Sequence, residues 1–224
     1  MSALLFILGA LAAAPEPPMT ALAPGEEPLV DVTKRDARFR LSFPYATDEN
    51  FFGKKVYLEA RCFLRASVAE KMVRAQAWLD LHHPRFVLVF KDCYRPDRVQ
   101  HLMWDAVKGT PKSAYVMNPH TRQGSLHSYG AAVDVTLGTA SEPEVDMGTP
   151  HDFLGKLAEP RHEAALLKEG KLTAEHLERR HILRDALRAG GMRSIPNEWW
   201  HFDDAPAEEV RRKFRRLDVP LEGL

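Results

Sequence analysis

Two segments of this chain carry side chains that can bind a metal and move protons. The first runs Ser125-Leu126-His127-Ser128-Tyr129-Gly130-Ala131-Ala132-Val133-Asp134, and the second Glu198-Trp199-Trp200-His201. His127, Asp134 and His201 offer two imidazoles and a carboxylate to one ion, with the Glu198 carboxylate to spare. Three protein ligands leave a coordination position open, which is the stoichiometry of catalytic zinc, whereas structural zinc closes with four. A spare carboxylate beside such an ion suits the proton transfers of hydrolysis. Each residue alone has a plainer reading. A single histidine near a strand is more often a hydrogen-bonded core residue, and Trp199, Trp200 and Phe202 read as core aromatics in either case.

The spacing says what the backbone must do. His127 fits a loop, Gly130 allows a tight turn, and Asp134 falls on the strand that follows. On a regular strand, residues three apart face opposite sides. Glu198 and His201 can share one ion only if the chain bends there, and Pro196-Asn197 supplies an irregular entry. A third group is Asp92-Cys93-Tyr94-Arg95-Pro96. Pro96 keeps Arg95 extended, so its guanidinium sits at a constrained strand end. It can stabilise a developing oxyanion there, or form an ordinary surface ion pair.

The elements that position these groups follow from periodicity. Phe86-Val87-Leu88-Val89-Phe90 predicts a strand buried on both faces, and Ala131 to Leu137 a second. Glu198 to Asp203 predicts a third strand. Ser67-Val68-Ala69-Glu70 has the form of a capping box, opening a helix over 67–82 that Pro84 ends. Asp97 opens a helix through Val107, closed by Gly109. Thr173 caps a long helix that Gly190-Gly191 stops, and Ala207 to Leu217 predicts a last, charged helix. Asp31 to Phe52 reads as aromatic loop. Helices and strands do not alternate regularly, which gives an α+β fold with helices around a small, largely antiparallel sheet.

Composition bounds the partners. The 224 residues carry 31 basic and 31 acidic side chains, so no charge excess draws the chain to nucleic acid. No segment is long and apolar enough to span a bilayer. Oligomeric state is not legible. Met1 to Ala14 is apolar and uncharged, ends in small residues, and resembles the core of a secretory signal. It lacks a preceding Lys or Arg, so a hydrophobic N-terminal helix is the alternative. The prolines that follow mark a linker, giving a signal-like segment and linker over 1–28 and a single catalytic domain over 29–224. Export, to the periplasm or beyond, would favour a disulfide between Cys62 and Cys93; a cytoplasmic protein would keep both reduced.

Ser-x-His-x-x-Gly-x-x-x-Asp, then Glu-x-x-His, preceded by Asp-x-Tyr-Arg-Pro, resembles the zinc D-alanyl-D-alanine dipeptidases of vancomycin resistance. These group with DD-carboxypeptidases and hedgehog-like zinc folds. The resemblance runs from about Tyr45 to Phe202 and includes Met147-Gly148-Thr149 with Asp152-Phe153. It implies that His127, Asp134 and His201 hold zinc, that Glu198 is the acid/base, and that Arg95 clamps the transition state. It implies further that Asp152 meets the substrate ammonium and that Ser125 and Tyr45 line a small pocket. The substrate it implies is a small dipeptide. Cys93 departs from a glycine of the resistance enzyme and fits an extracytoplasmic form stapled by Cys62–Cys93. A DD-carboxypeptidase and a non-catalytic zinc-bearing module are the alternatives. The basic run Arg211-Arg212-Lys213 with Arg215-Arg216, one turn after Glu208 and Glu209, reads as a solvated helix face, with a site for an acidic partner as the alternative. His82, His83, His162, His176 and His181 read as surface or structural residues, and no Gly-x-Ser-x-Gly surrounds Ser125 or Ser128.

Overall fold

The computed structural model describes residues 21–121 and 123–224. The signal-like stretch at Met1 to Ala14 lies outside the described residues. The strands are β1 (Leu29–Asp31), β2 (Arg40–Leu41), β3 (Phe63–Arg65), β4 (Val87–Asp92), β5 (Ala132–Gly138), β6 (Arg193–Ser194) and β7 (His201–Asp203). The α-helices are α1 (Ala66–His82), α2 (Asp97–Val107), α3 (Glu163–Lys168), α4 (Ala174–Gly190) and α5 (Ala207–Lys213). One sheet has the order β2-β4-β5-β7-β6, and β1 pairs with β3 in a separate two-stranded ribbon. All neighbours are antiparallel except β2 with β4. The fold is therefore mixed α and β, as the irregular element order predicts.

β4 and β5 form the centre because both are buried along nearly their whole length. Leu88, Phe90, Val133 and Val135 point to one face of the sheet, into the apolar core, while Val89 and Thr136 are buried on the other. Burying each such apolar side chain is worth roughly 1.5–3 kcal/mol. α1 and α4 pack against each other with Met72, Ala75 and Leu79 from one and Leu183, Ala186 and Leu187 from the other, all buried. Gly190 permits that close approach, since a Cβ there would lie 2.4 Å from the Lys71 carbonyl oxygen.

Four local expectations are corrected. α1 begins at Ala66, directly off β3, and Ser67 lies inside its first turn rather than capping it. The Ser67 N–H donates instead to Glu27, a residue remote in sequence. β7 is shorter than the strand expected over 198–203, because residues 197–200 are bends and irregular backbone. α5 ends at Lys213 rather than 217, and the chain after it extends along other elements. There Leu217 N–H donates to the Ser128 carbonyl and Asp97 N–H to the Leu217 carbonyl. The stretch from Asp31 to Phe52, expected as loop, contributes β2, the end of β1 and two short 3-10 turns. The other main signals fall where periodicity puts them, including the Thr173 cap of α4, which pairs reciprocally with His176.

Cys62 and Cys93 are disulfide-bonded, with Cα atoms 5.2 Å apart. The bridge ties the start of β3 to the loop leaving β4, where Tyr94 N–H also donates to the Phe63 carbonyl. It spans a sequence separation of 31 residues. Closing a loop of that size in the unfolded chain predicts that the Cys62→Ala/Cys93→Ala variant loses about 3–4 kcal/mol of stability. Urea unfolding of the oxidised protein and of the variant measures this difference, and equal midpoints and slopes would refute it.

Candidate active site

Strand register brings the chemistry together. Asp134 on β5 is opposite His201 on β7 and opposite Asp92 at the end of β4. Residues directly opposed across antiparallel strands have Cβ atoms about 4.5–5.5 Å apart, so three neighbouring strands place Asp92, Asp134 and His201 side by side. His127 joins them from a 3-10 turn over Leu126–Tyr129 that precedes β5. Gly130 ends that turn in a left-handed conformation, φ 69°, and a Cβ there would come within 2.5 Å of Leu29. The tight turn between His127 and Asp134 therefore requires glycine on both conformational and steric grounds.

His127, Asp134 and His201 each offer a ligand atom, and these atoms lie within 4.8 Å of one another. His127 Nε2 is 3.1 Å from His201 Nδ1 and 3.4 Å from Asp134 Oδ1, and His201 Nδ1 is 3.0 Å from that same oxygen. Tetrahedral zinc with bonds of about 2.0–2.1 Å has ligand atoms about 3.3 Å apart, so the spacing fits one small ion. The outer ring nitrogens are also committed. His127 Nδ1 lies 2.7 Å from the Cys93 carbonyl, which can only accept, so it carries the proton and leaves Nε2 as a lone pair. His201 Nε2 lies 2.9 Å from Asp203 Oδ1, which turns Nδ1 inward. A carbonyl or carboxylate behind each imidazole is the arrangement that orients metal-binding histidines. Burial opposes charge on His201, but Asp203 and Asp134 outweigh it and raise its pKa well above the usual range. A cation must displace the proton held there.

Glu198 sits in the irregular segment before β7, so it and His201 reach one space without sharing a strand face. Its Oε2 is 3.9 Å from His201 Nδ1, and its carboxylate accepts no hydrogen bond from a described residue. Burial, with Asp134 and Asp152 nearby, lifts its pKa from 4.5 to about 8 against the opposing effect of His201. A cation held by the neighbouring ligands would draw that value down toward the range of a neutral-pH proton carrier.

Arg95 is buried, which overturns the surface ion-pair reading. Its Nε and Nη2 donate to Asp92 Oδ2 at 2.8 and 2.7 Å, and Nη1 donates to Gln100 Oε1 at 2.7 Å. Nη2 also lies 3.7 Å from Asp134 Oδ2, and the guanidinium stands 5.7 Å from the centre of the Tyr45 ring. Asp92 is fixed in turn by the Tyr57 hydroxyl and the Cys93 N–H.

Asp152 is the single described non-glycine residue with positive φ, 61°, a conformation that aspartate tolerates better than most. The Tyr45 hydroxyl donates to its Oδ2 at 2.5 Å. Burial raises its pKa, while His151 acts in the opposite sense. Ser125 is buried at the start of the His127 turn, its hydroxyl unengaged by any described residue. All eight residues singled out for the metal site and its pocket, from Tyr45 and Arg95 to Glu198 and His201, line one cavity of about 480 Å³.

Sequence reasoning missed several neighbours. His151, buried behind the cavity, has Nε2 3.5 Å from Asp134 Oδ2 and Nδ1 3.2 Å from Asp152 Oδ2. No spacing rule marks it, since it directly precedes Asp152. Asp203, two residues after His201, had the sequence signal of a carboxylate alternating with a histidine on the same strand face. Asp92 was read only as part of a motif, and Gln100 gave no signal.

A mixed α/β fold that gathers two histidines, an aspartate and an unbonded glutamate in one cleft has the parts of a hydrolase acting on a small polar substrate. The chain belongs to the M15 peptidase family: residues 26–220 match the family model described as D-ala-D-ala dipeptidase. It is 29% identical over 175 residues to the D-alanyl-D-alanine dipeptidase of Escherichia coli K12, covering 78% of this chain and 83% of that protein. It is 25% identical over 205 residues to the D-alanyl-D-alanine dipeptidase of Synechocystis, covering 79% and 81%.

Proposed function

We propose that this protein is a zinc-dependent dipeptidase that hydrolyses D-alanyl-D-alanine or similar small dipeptides in cell-wall peptide metabolism. The observation that carries this is the convergence of His127, Asp134 and His201 within 4.8 Å, with the Glu198 carboxylate 3.9 Å from His201. Bound zinc would supply a Lewis acid that polarises the peptide carbonyl and acidifies water. Glu198 takes a proton from the attacking water and returns it to the leaving amine. The Arg95 guanidinium, held by Asp92 and Gln100, points its charge at the oxygen on which negative charge develops. Asp152, oriented by the Tyr45 hydroxyl, receives the substrate ammonium, and Ser125 offers a free hydroxyl to the peptide.

Asp152 also supports the dipeptidase reading over a DD-carboxypeptidase. An acylated amine would leave a buried carboxylate unpaired, which is costly. Asp152→Ala is expected to raise KM for a free dipeptide by about 10–100-fold, the loss of a charge-assisted contact, with kcat less affected. Steady-state kinetics measure the split, and unchanged KM and kcat would remove Asp152 from the substrate site. The Cys62–Cys93 bridge favours an oxidising compartment, periplasmic or secreted.

The deciding experiment is amine release by purified protein. It compares D-Ala-D-Ala, L-Ala-L-Ala and N-acetyl-D-Ala-D-Ala, with chelator and after zinc is restored. The reading requires turnover of the first that chelation abolishes and zinc recovers. Faster cleavage of the N-acetylated substrate would favour a carboxypeptidase, and no cleavage by the zinc-loaded protein would leave a binding module.

A further inference from the structure

The basic run expected as a solvated face is not wholly one. α5 leaves β7 a few residues after His201, and Ala207 and Arg211, one helical turn apart, both line the catalytic cavity. Arg211 is half-buried and forms no ion pair with a described carboxylate, Glu208 included. Lys213, two residues on, pairs instead with Glu27. The Arg211 Nε donates to the Gln123 carbonyl at 3.1 Å. No described residue accepts from its two terminal nitrogens, on the wall that runs from Gln123 to His127.

The charges of the cavity are uneven. Among the described residues, Asp134, Asp152, Glu198 and Asp203 line it, against two arginines, Arg95 and Arg211. Arg95 is anchored by Asp92 and Gln100, and the reading above assigns its remaining N–H groups to the developing oxyanion. A dipeptide brings both an ammonium and a carboxylate. The carboxylate cannot be placed among the acids, and Arg211 is the described lining cation whose donors that reading leaves unassigned. A guanidinium matches a carboxylate with two parallel N–H···O bonds.

We propose that Arg211 receives the free C-terminal carboxylate of the substrate and so selects dipeptides at the end opposite Asp152. This rests on the dipeptidase reading above. Arg211 is a specificity residue on this account and takes no part in the proton transfers.

The test compares kcat/KM for D-Ala-D-Ala and for its C-terminal amide in zinc-loaded wild type, Arg211→Ala and Arg211→Lys. Thermal melts check that each variant is folded. The wild type should prefer the free acid by about 10–100-fold, the range of a charge-assisted hydrogen bond. In Arg211→Ala that preference should collapse toward unity, through a higher KM for the acid, and Arg211→Lys should restore part of it. An acid-to-amide ratio unchanged in Arg211→Ala, including an equal loss on both substrates, would overturn the proposal and leave Arg211 as a support for the Gln123 loop. Absence of D-Ala-D-Ala turnover by the wild type would overturn the dipeptidase reading, and this inference with it.

Discussion

Glu198→Gln is expected to lower kcat by on the order of 10²–10⁴ while zinc content and KM stay near those of the wild type. The amide is nearly isosteric with the carboxylate but cannot take a proton from water. Glu198 is not one of the three converging donors, so metal retention separates this variant from a ligand mutant. Metal analysis beside steady-state kinetics makes the comparison, and a kcat within a few-fold of wild type would end the acid/base assignment. A second signature follows from the neighbourhood. In the cation-free protein, burial with Asp134 and Asp152 raises the Glu198 pKa from 4.5 to about 8. A carboxyl whose folded pKa is raised makes the unfolded chain release its proton first, so stability falls as pH rises from about 4.5 to 8. Cation-free Glu198→Gln escapes that loss. It should melt higher than cation-free wild type at pH 8, with the gap closing toward pH 4.5. A site that gains stability as it loses activity is the pattern of a residue kept for chemistry.

Arg95→Ala is expected to be nearly as severe, in two currencies at once. Removing a donor aimed at a developing oxyanion costs about 10²–10³ in rate. The same change strands Asp92, which is fully buried and takes both Nε and Nη2 of Arg95. Breaking a buried pair from one side costs about 3–5 kcal/mol. The double variant Arg95→Ala/Asp92→Asn separates the two effects. A neutral amide oxygen at 92 can still accept from the Tyr57 hydroxyl and the Cys93 N–H, and no charge is stranded. Stability should return in large part, while activity should not. Denaturant unfolding and kinetics on the wild type, Arg95→Ala, Asp92→Asn and the double variant form the cycle, and recovery of both together in the double variant would mean that Arg95 acts through folding alone.

The disulfide connects these predictions to the scaffold. Cys93 lies between Asp92 and Arg95, and its carbonyl fixes the tautomer of His127. The bridge thus anchors the loop that carries the guanidinium and supports one of the converging imidazoles.

Much of this was legible in the chain itself, for identifiable reasons. α2 has its stop and apolar spacing, and α4 its Thr173 cap, stop and apolar spacing, within or beside their own residues, so local rules suffice for both. β4 and β5 are runs apolar enough to demand burial on both faces. The donor types also announced themselves, because two histidines and two carboxylates in two short segments are an uncommon combination. What local sequence could not hold were the elements made by partners. β1, β2, β3 and β6 are two or three residues long, too short for any period, and exist because a neighbouring strand supplies their hydrogen bonds. α1 starts where β3 delivers it and takes Glu27 for its first turn, so the capping signal at Ser67 lost to a contact from a distant segment.

The residue types and their spacing determined that this protein could hold an ion and move protons beside it. The register of β4, β5 and β7 decided that one Asp134 would stand between Asp92 and His201. Tertiary packing alone buried Arg95, set His151 behind two carboxylates, and turned Arg211 from the solvated run into the cavity. The physical reason is range. Periodicity and caps act over a few residues, whereas cross-strand pairing and helix docking join side chains that no spacing rule relates.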